Sequence, residues 1–328
     1  MKNKVEFIIF SDTHVEDWAR FSTDSSRLLH NEIILNKVLK LCIKHGVDAL
    51  FGGDFFDNPK YLKNTVLNHV FKWLNKFKEA KVNIYCISGN HDQCDKNSVA
   101  YTSPSYINML STIYPNIINL DLQTIIPKNN DLYALHGVPY MSNNSDVIQA
   151  VETLSKQIEP KKKNIILLHT HLPGAVEPNG YEVETDMPKN LYKLLKKFDL
   201  AISGHIHKPQ KIFSNTYLLG ATHQQRTSDS GTTMGLNLLM SNGTLKFKPL
   251  NLPEFKYYNE GEEPGNETDF WIQIPKDIIK TTEADDLLFK PKDKAKKLAK
   301  KYLKVKGIKS KEKRNTLIKY LENDGLDK

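Results

Sequence analysis

Five short polar pieces, each at the end of an apolar run, constrain this chain more than anything else in it. They are Asp12-Thr13-His14, Gly53-Asp54-Phe55-Phe56-Asp57, Gly89-Asn90-His91-Asp92, His169 and Gly204-His205-Ile206-His207. The runs before them, Val5–Phe10, Val47–Gly52, Val82–Ile87, Asn164–Leu168 and Leu200–Ser203, read as buried strands. Between them lie runs with helical spacing. Leu28–Lys44 carries Leu29, Ile33, Ile34, Val38, Leu41 and Cys42 and is closed by Gly46; Thr65–Ala80 lines up Val66, Leu67, Val70, Trp73, Leu74 and Phe77. Asp131–Leu135 adds a strand and Asp146–Ile158 a helix. Alternating strands and helices predict an α/β layered fold, whose loops after strand C-termini gather at one edge. A random scatter of Asp and His would not respect strand ends.

Further along, Lys211–Phe213, Thr216–Leu219, Gly235–Met240 and Leu245–Lys248 alternate apolar and polar residues around turn residues. They predict an antiparallel meander completing a second sheet, so that residues 1–250 make one catalytic domain. Residues 251–288, rich in Pro, Glu, Asn and Gly with one apolar stretch at Phe270–Ile274, read as a small accessory region or a linker. Residues 289–328 are a basic tail. Within it, residues 290–319 hold 14 Lys/Arg against two acids, which leaves the body before them close to neutral. Two short amphipathic helices are expected there, about Asp293–Val305 and from Ser310 to near Gly325. Such a tail points to nucleic acid or an acidic protein partner; a solvated terminus is the bland alternative. No run approaches the ~18–20 apolar residues of a membrane span. Val5–Phe10 is too short for a signal-peptide core and contains Glu6, so a soluble cytoplasmic protein is expected. Cys42, Cys86 and Cys94 form no CxxC pair and read as reduced structural thiols.

The polar pieces have the chemistry of a two-cation site. A phosphate ester resists attack because it is negative and water is a poor nucleophile; two divalent ions ~3.5–4 Å apart address both. Ions that close need a bridging anion, and Asp54, after the Gly52-Gly53 turn, is suited to it. Asp12 and His14, two apart on an extended segment, point to one side, and His205 and His207 repeat the spacing. Asn90 offers a carbonyl oxygen. Mixed nitrogen and oxygen ligation suits Mn²⁺, Fe²⁺ or Zn²⁺ better than Mg²⁺. His91, beside Asn90, is placed to face substrate and protonate a leaving oxygen, and Asp57 to orient it by a hydrogen bond. His169 directly ends its apolar run and is favoured as the ligand there over His171. The remaining histidines, His30, His45, His69, His136 and His223, read as surface or structural residues.

These motifs in this order resemble the calcineurin-like metallophosphoesterases, over roughly residues 5–225. The resemblance implies a four-layer α/β/β/α sandwich with a small accessory region and a helical tail. It implies one ion on Asp12, His14, Asp54 and His207, a second on Asp54, Asn90, His169 and His205, and His91 as the catalytic histidine. Within that superfamily the chain is most similar to the SbcD-type nucleases. The segment Ser25–His30 that begins the first helix carries the likeness, with Leu219-Gly220-Ala221-Thr222 followed by Gln225-Arg226-Thr227-Ser228, and the tail. Leu219 stands where those nucleases usually have Pro, and residues 251–288 are shorter than their DNA-capping domain. The likeness implies a Mn²⁺-dependent exonuclease and endonuclease acting on DNA ends. It also implies a partner, an SMC-like ATPase of the SbcC type gripped by the C-terminal helices, and a homodimer formed through the helices near Leu28–Lys44 and Thr65–Ala80. A phosphatase or cyclic-nucleotide phosphodiesterase would use the same ions, and a scaffold with an idle site is a third possibility.

Overall fold

A computed structural model describes residues 4–17, 26–94, 104–225, 229, 235–249, 255–259 and 270–274. Two six-stranded sheets form its core. In the first, β1 (Val5–Phe10), β2 (Ala49–Phe51), β3 (Ile84–Cys86) and β4 (Ile117–Asn119) run parallel in sequence order. On the far side of β1, β11 (Gly235–Met240) and β12 (Leu245–Pro249) continue the sheet antiparallel. In the second, β6 (Tyr133–Val138), β7 (Lys163–His169) and β8 (Leu200–Gly204) are parallel. Its edges are β5 (Thr124–Ile125), antiparallel to β6, and the hairpin of β9 (Gln210–Phe213) and β10 (Thr216–Leu218). A separate two-stranded sheet pairs β13 (Phe255–Asn259) with β14 (Phe270–Ile274). The chain divides into two compact units, residues 1–255 with 268–270, and residues 256–267 with 271–328. The two tail helices expected from sequence lie outside the described residues.

The layering follows from strands that are apolar on both faces. On β1, Ile8 and Phe10 point to a core shared with α1 (Ser26–His45), α2 (Asn64–Glu79) and α3 (Tyr106–Ile113), while Phe7 and Ile9 enter a core between the sheets. On β7, Ile165 and Leu167 join that same inter-sheet core, while Ile166 and Leu168 pack under α4 (Asn144–Ser155) and α5 (Leu191–Leu195). Three apolar layers thus separate four structural ones, an α/β/β/α sandwich. On α2 the buried stripe is Val66, Val70, Trp73, Leu74 and Phe77. Leu29, expected on the inner face of α1, is instead 53% exposed; Ile34, Leu35 and Val38 fill that face.

The expected meander does not exist as one unit. β9 and β10 join the second sheet, where β10 lies parallel to β8, but β11 and β12 cross to the first sheet and flank β1. Alternation specifies one buried face and is silent on which sheet receives it. The short elements α3, β4, β5 and α5 carry too few residues for a periodic signal.

The sheets bring their strand C-termini to one end, and main-chain bonds there hold the loops together. The loop after β1 runs beside the loop after β2: the amides of Asp12, His14 and Val15 donate to the carbonyls of Gly53, Asp54 and Phe55 at 3.0, 3.1 and 2.7 Å. The loop after β3 is tied in by one buried carboxylate, Asp92. It accepts from the amides of Asp54 and Gly89 on Oδ2 at 2.8 and 2.9 Å, and from Phe55 and Phe56 on Oδ1 at 2.9 and 3.1 Å. Burial and the neighbouring Asp54 push its acid up to about 7, against amides that favour its charged form. Asp92→Asn would turn an NH₂ group toward two of these amides and orphan them. The expected loss is about 3 kcal/mol, seen as a lowered denaturant midpoint at pH 8; an unchanged midpoint would show that the carboxylate does not hold the loops.

Candidate metal centre

The polar pieces leave the strands through unusual backbone. Six non-glycine residues among those described have positive φ, and four of them are Asp12 (53°), His14 (41°), Asp54 (58°) and His205 (84°). L-residues with φ above zero are strained, and such positions collect at functional sites. Here the bend lets a side chain turn back over its own strand end. Two glycines make room. A Cβ on Gly89 would lie 2.1 Å from Asp54 Oδ1, and one on Gly53, at φ +96°, would lie 2.5 Å from His169 Nδ1.

All seven residues expected as metal ligands, and His91, meet at this end. Asp12, His14 and His207 offer donor atoms within 4.8 Å of one another, as do Asp54, His169 and His205. Asn90 joins the second group, its Oδ1 at 3.2 Å from His169 Nε2 and 2.9 Å from His205 Nδ1. Asp54 Oδ2 lies between the groups, 3.2 Å from His169 Nε2 and 3.6 Å from His14 Nε2. Its other oxygen accepts the His91 amide at 2.8 Å, which fixes the carboxylate. Against the cost of burial, His169, His14 and His91 hold the Asp54 carboxyl well below its ordinary range. It is therefore an anion at any working pH.

Most of these imidazoles have one nitrogen tethered away from the centre, which sets the ring and leaves the other as donor. His169 Nδ1 bonds the Gly52 carbonyl at 2.7 Å, and since a carbonyl only accepts, Nδ1 carries a proton. His14 Nδ1 meets Asp57 Oδ1 at 3.2 Å. His207 Nδ1 meets Asp229 Oδ2 at 3.2 Å. His205 Nε2 meets His171 Nε2 at 2.8 Å while its Nδ1 faces Asn90. His171 thus stands outside the Asp54 group and His169 inside it. His91 Nδ1 bonds the main-chain carbonyl of Asp57 at 2.5 Å. Asp57 thus meets His91 through its backbone carbonyl, and its carboxylate lies against His14.

Asp229 supports the site without any sequence signal, and Asp92, although it closes the Gly89–Asp92 motif, does so in a role the motif does not show. Asp229 lies 22 residues beyond its histidine, and Asp92 bonds only main-chain amides. Of the histidines set aside, His136 is a buried structural residue bonded to Thr124 Oγ1 and Asn164 Oδ1 at 2.8 and 3.1 Å. His30 and His223 are buried ring against ring, 5.1 Å between centroids.

Such a set of converging donors fits divalent cations. Five imidazoles and two buried carboxylates are packed so that His205 Nδ1 lies 3.3 Å from His169 Nε2 and His14 Nε2 lies 3.9 Å from Asp12 Oδ1. Donors that converge this closely can share a cation. Asp12, His14 and His207 would hold one ion, and Asn90, His169 and His205 the other, with Asp54 reaching both. His169, buried against Asp54, is pushed up to about 9, burial opposing and the Asp54 and Asp12 charges prevailing. A ligand imidazole must be neutral, so binding at this half should expel about one proton below pH 9. Affinity should therefore rise with pH up to about 9 and level off above it. Titration calorimetry with Mn²⁺ in buffers of different ionisation enthalpy measures that proton at pH 7.5; no buffer dependence would contradict it.

The chain is similar to several known proteins. "Putative phosphoesterase 078R" of Invertebrate iridescent virus 3 is 23% identical over 66% of this chain and 60% of its own length. The DNA double-strand break repair protein Mre11 of Methanococcus maripaludis is 24% identical over 62% of this chain. That match spans about half of Mre11, 52%. Among solved structures, TT1561 of Thermus thermophilus aligns over 75% of this chain and 99% of its own, with a TM-score of 0.45 and 13% identity. Residues 5–209 match the calcineurin-like phosphoesterase family, and by that match the chain belongs to it.

Proposed function

We propose that this phosphoesterase is a Mn²⁺-dependent DNA nuclease, cutting phosphodiester bonds at DNA ends. One observation carries the hydrolytic part: Asp54 is shared by two donor groups, and His91 stands beside them, its ring 4.7 Å from that of His14. Two divalent cations, when bound, screen the phosphate and lower the pKa of a coordinated water. The chain's own residues do the rest. Asp12, Asp54, His14, Asn90, His169, His205 and His207 hold the charges in place. His91 has Nδ1–H engaged by the Asp57 carbonyl, so the second proton of its imidazolium form sits on Nε2, and it is from there that a proton would pass to the leaving oxygen. Mn²⁺ suits the mixture of imidazole and oxygen donors.

DNA as the substrate is supported by the partial likeness to Mre11 and by the charge of the tail, with 14 Lys/Arg in residues 290–319. The same tail is proposed to bind an SMC-like ATPase, and the outer face of α1, with Leu29 and Ile43 exposed at 53% and 57%, to form a homodimer. A cytoplasmic, DNA-associated protein follows from these proposals. Among the described residues no helix is long and apolar enough to cross a membrane.

The test is cleavage of end-labelled DNA with Mn²⁺, beside hydrolysis of small phosphate monoesters and cyclic nucleotides. Degradation of DNA with weak activity on the small esters is expected; the reverse ranking would make the chain a small-molecule phosphodiesterase. Replacing His91 with Ala should lower kcat about 10²–10⁴-fold with Mn²⁺ binding retained, and an unchanged kcat would remove His91 from the chemistry. Affinity purification of the chain with and without residues 290–328 should recover a large ATPase only with the full chain.

A further inference from the structure

Behind the Asp12, His14 and His207 half of the site runs a buried polar strut. It begins at Arg27, in the first turn of α1 and only 2% exposed. Its Nη1 donates to the Gln224 carbonyl at 2.7 Å and its Nη2 to Gln225 Oε1. Gln225 then acts with three groups at once. Its main-chain amide donates to Asp229 Oδ2 at 2.8 Å, the same oxygen that meets His207 Nδ1. Its side-chain Nε2 faces the carbonyls of Asp12 and Thr13 at 3.4 and 3.5 Å, with His223 Nε2 at 3.1 Å.

The chemistry makes this order directional. A guanidinium has donors only, so it can donate only to the oxygen end of the Gln225 amide. That choice turns the NH₂ end toward the two carbonyls of the Asp12 loop. Arg27 thereby decides which way Gln225 points, and Gln225 holds both the backbone that presents Asp12 and the carboxylate that orients His207. A buried guanidinium is costly, and its fork of fixed donors is what a lysine cannot supply. These bonds all end on the Asp12 and His207 side of the centre, away from the Asn90 and His169 side chains.

We infer that Arg27, Gln225 and Asp229 are positioning residues that set the cation affinity of the Asp12, His14 and His207 half alone. The inference rests on the two-cation reading of the centre. Their role is to keep Asp12 and His207 pre-oriented, so that losing the strut weakens one cation and spares the other.

The experiment is Mn²⁺ binding to the full chain by calorimetry, with electron paramagnetic resonance to separate paired from single Mn²⁺. Wild-type protein should bind two ions per chain and show the signal of a coupled pair. Arg27→Lys, Gln225→Glu and Asp229→Asn should each weaken one ion about 10–100-fold and replace the paired signal by that of a single ion, the second affinity unchanged. Gln225→Glu keeps an acceptor for Arg27 and turns an oxygen instead of a donor toward the carbonyls; circular dichroism matching wild type at the binding temperature separates a displaced loop from an unfolded chain. Asn90→Ala should weaken the other ion, which identifies each. Equal weakening of both ions in the strut variants, or no change in either, would overturn the inference. Fewer than two ions on the wild-type chain would instead overturn the two-cation reading beneath it.

Discussion

The carboxylate of Asp54 has to reach imidazoles carried by both sheets, and the rest of the structure answers to that. Asp54 leaves the first sheet after β2, and His169 ends β7 in the second. Their atoms meet at 3.2 Å. Two sheets packed through side chains sit about 10 Å apart, so contact between their strand ends needs loops that lean across the gap. The left-handed φ of Asp12, His14, Asp54 and His205 provides the lean. The side-chain-free backbone at Gly53, Gly89 and Gly204 provides the clearance, since a Cβ on Gly204 would fall 2.5 Å from the Gly52 carbonyl and 2.3 Å from Ser11 Oγ. Strained loops cost of order 1–3 kcal/mol per residue. The deep apolar layers on both sides of each sheet hold them in place.

Orientation of the imidazoles is the second requirement. A histidine free to flip offers a proton as often as a lone pair. In this chain the outer nitrogens are tied to groups that leave little choice: main-chain carbonyls for His91 and His169, carboxylates for His14 and His207, and His171 for His205. Asp57 serves two of them, by backbone toward His91 and by side chain toward His14. One residue thus couples the position of His91 to that of His14, and a shift of the loop after β2 would move both together.

Much of this could be read from the sequence, because ligands at strand ends leave a pattern in both hydropathy and residue type. The strands Val5–Phe10 and Lys163–His169 are continuous apolar runs that end on the site, and the motif residues follow them directly. What escaped has physical reasons. β11 and β12 bury one face each, and nothing local in Gly235–Met240 says that its partner is β1, some 230 residues earlier. Asp92 acts on four amides, and main-chain donors have no sequence. Asp229 is a single polar residue far from the motif it serves, and such a residue has many ordinary explanations; Arg27 and Gln225 fall in segments that carry the family likeness, but nothing in the sequence pairs the one with the other. The contact of Asp57 with His91 was legible as a pairing, yet whether the carbonyl or the carboxylate makes it depends on a few degrees of backbone.

The two halves of the centre are therefore built by different means. The half with Asn90, His169 and His205 is held by groups close to the sheets: the Gly52 carbonyl on His169, and Asp92 clamping the loops of Asp54 and Asn90. Those supports are part of the fold, and altering them costs stability before it changes affinity. The half with Asp12, His14 and His207 is held by side chains that converge from α1, from the loop after β2 and from Gln225 and Asp229. Side chains can be exchanged one at a time. On the two-cation reading proposed above, such an arrangement would keep one cation position fixed by architecture while leaving the other open to adjustment, with Asp54 between them to transmit it.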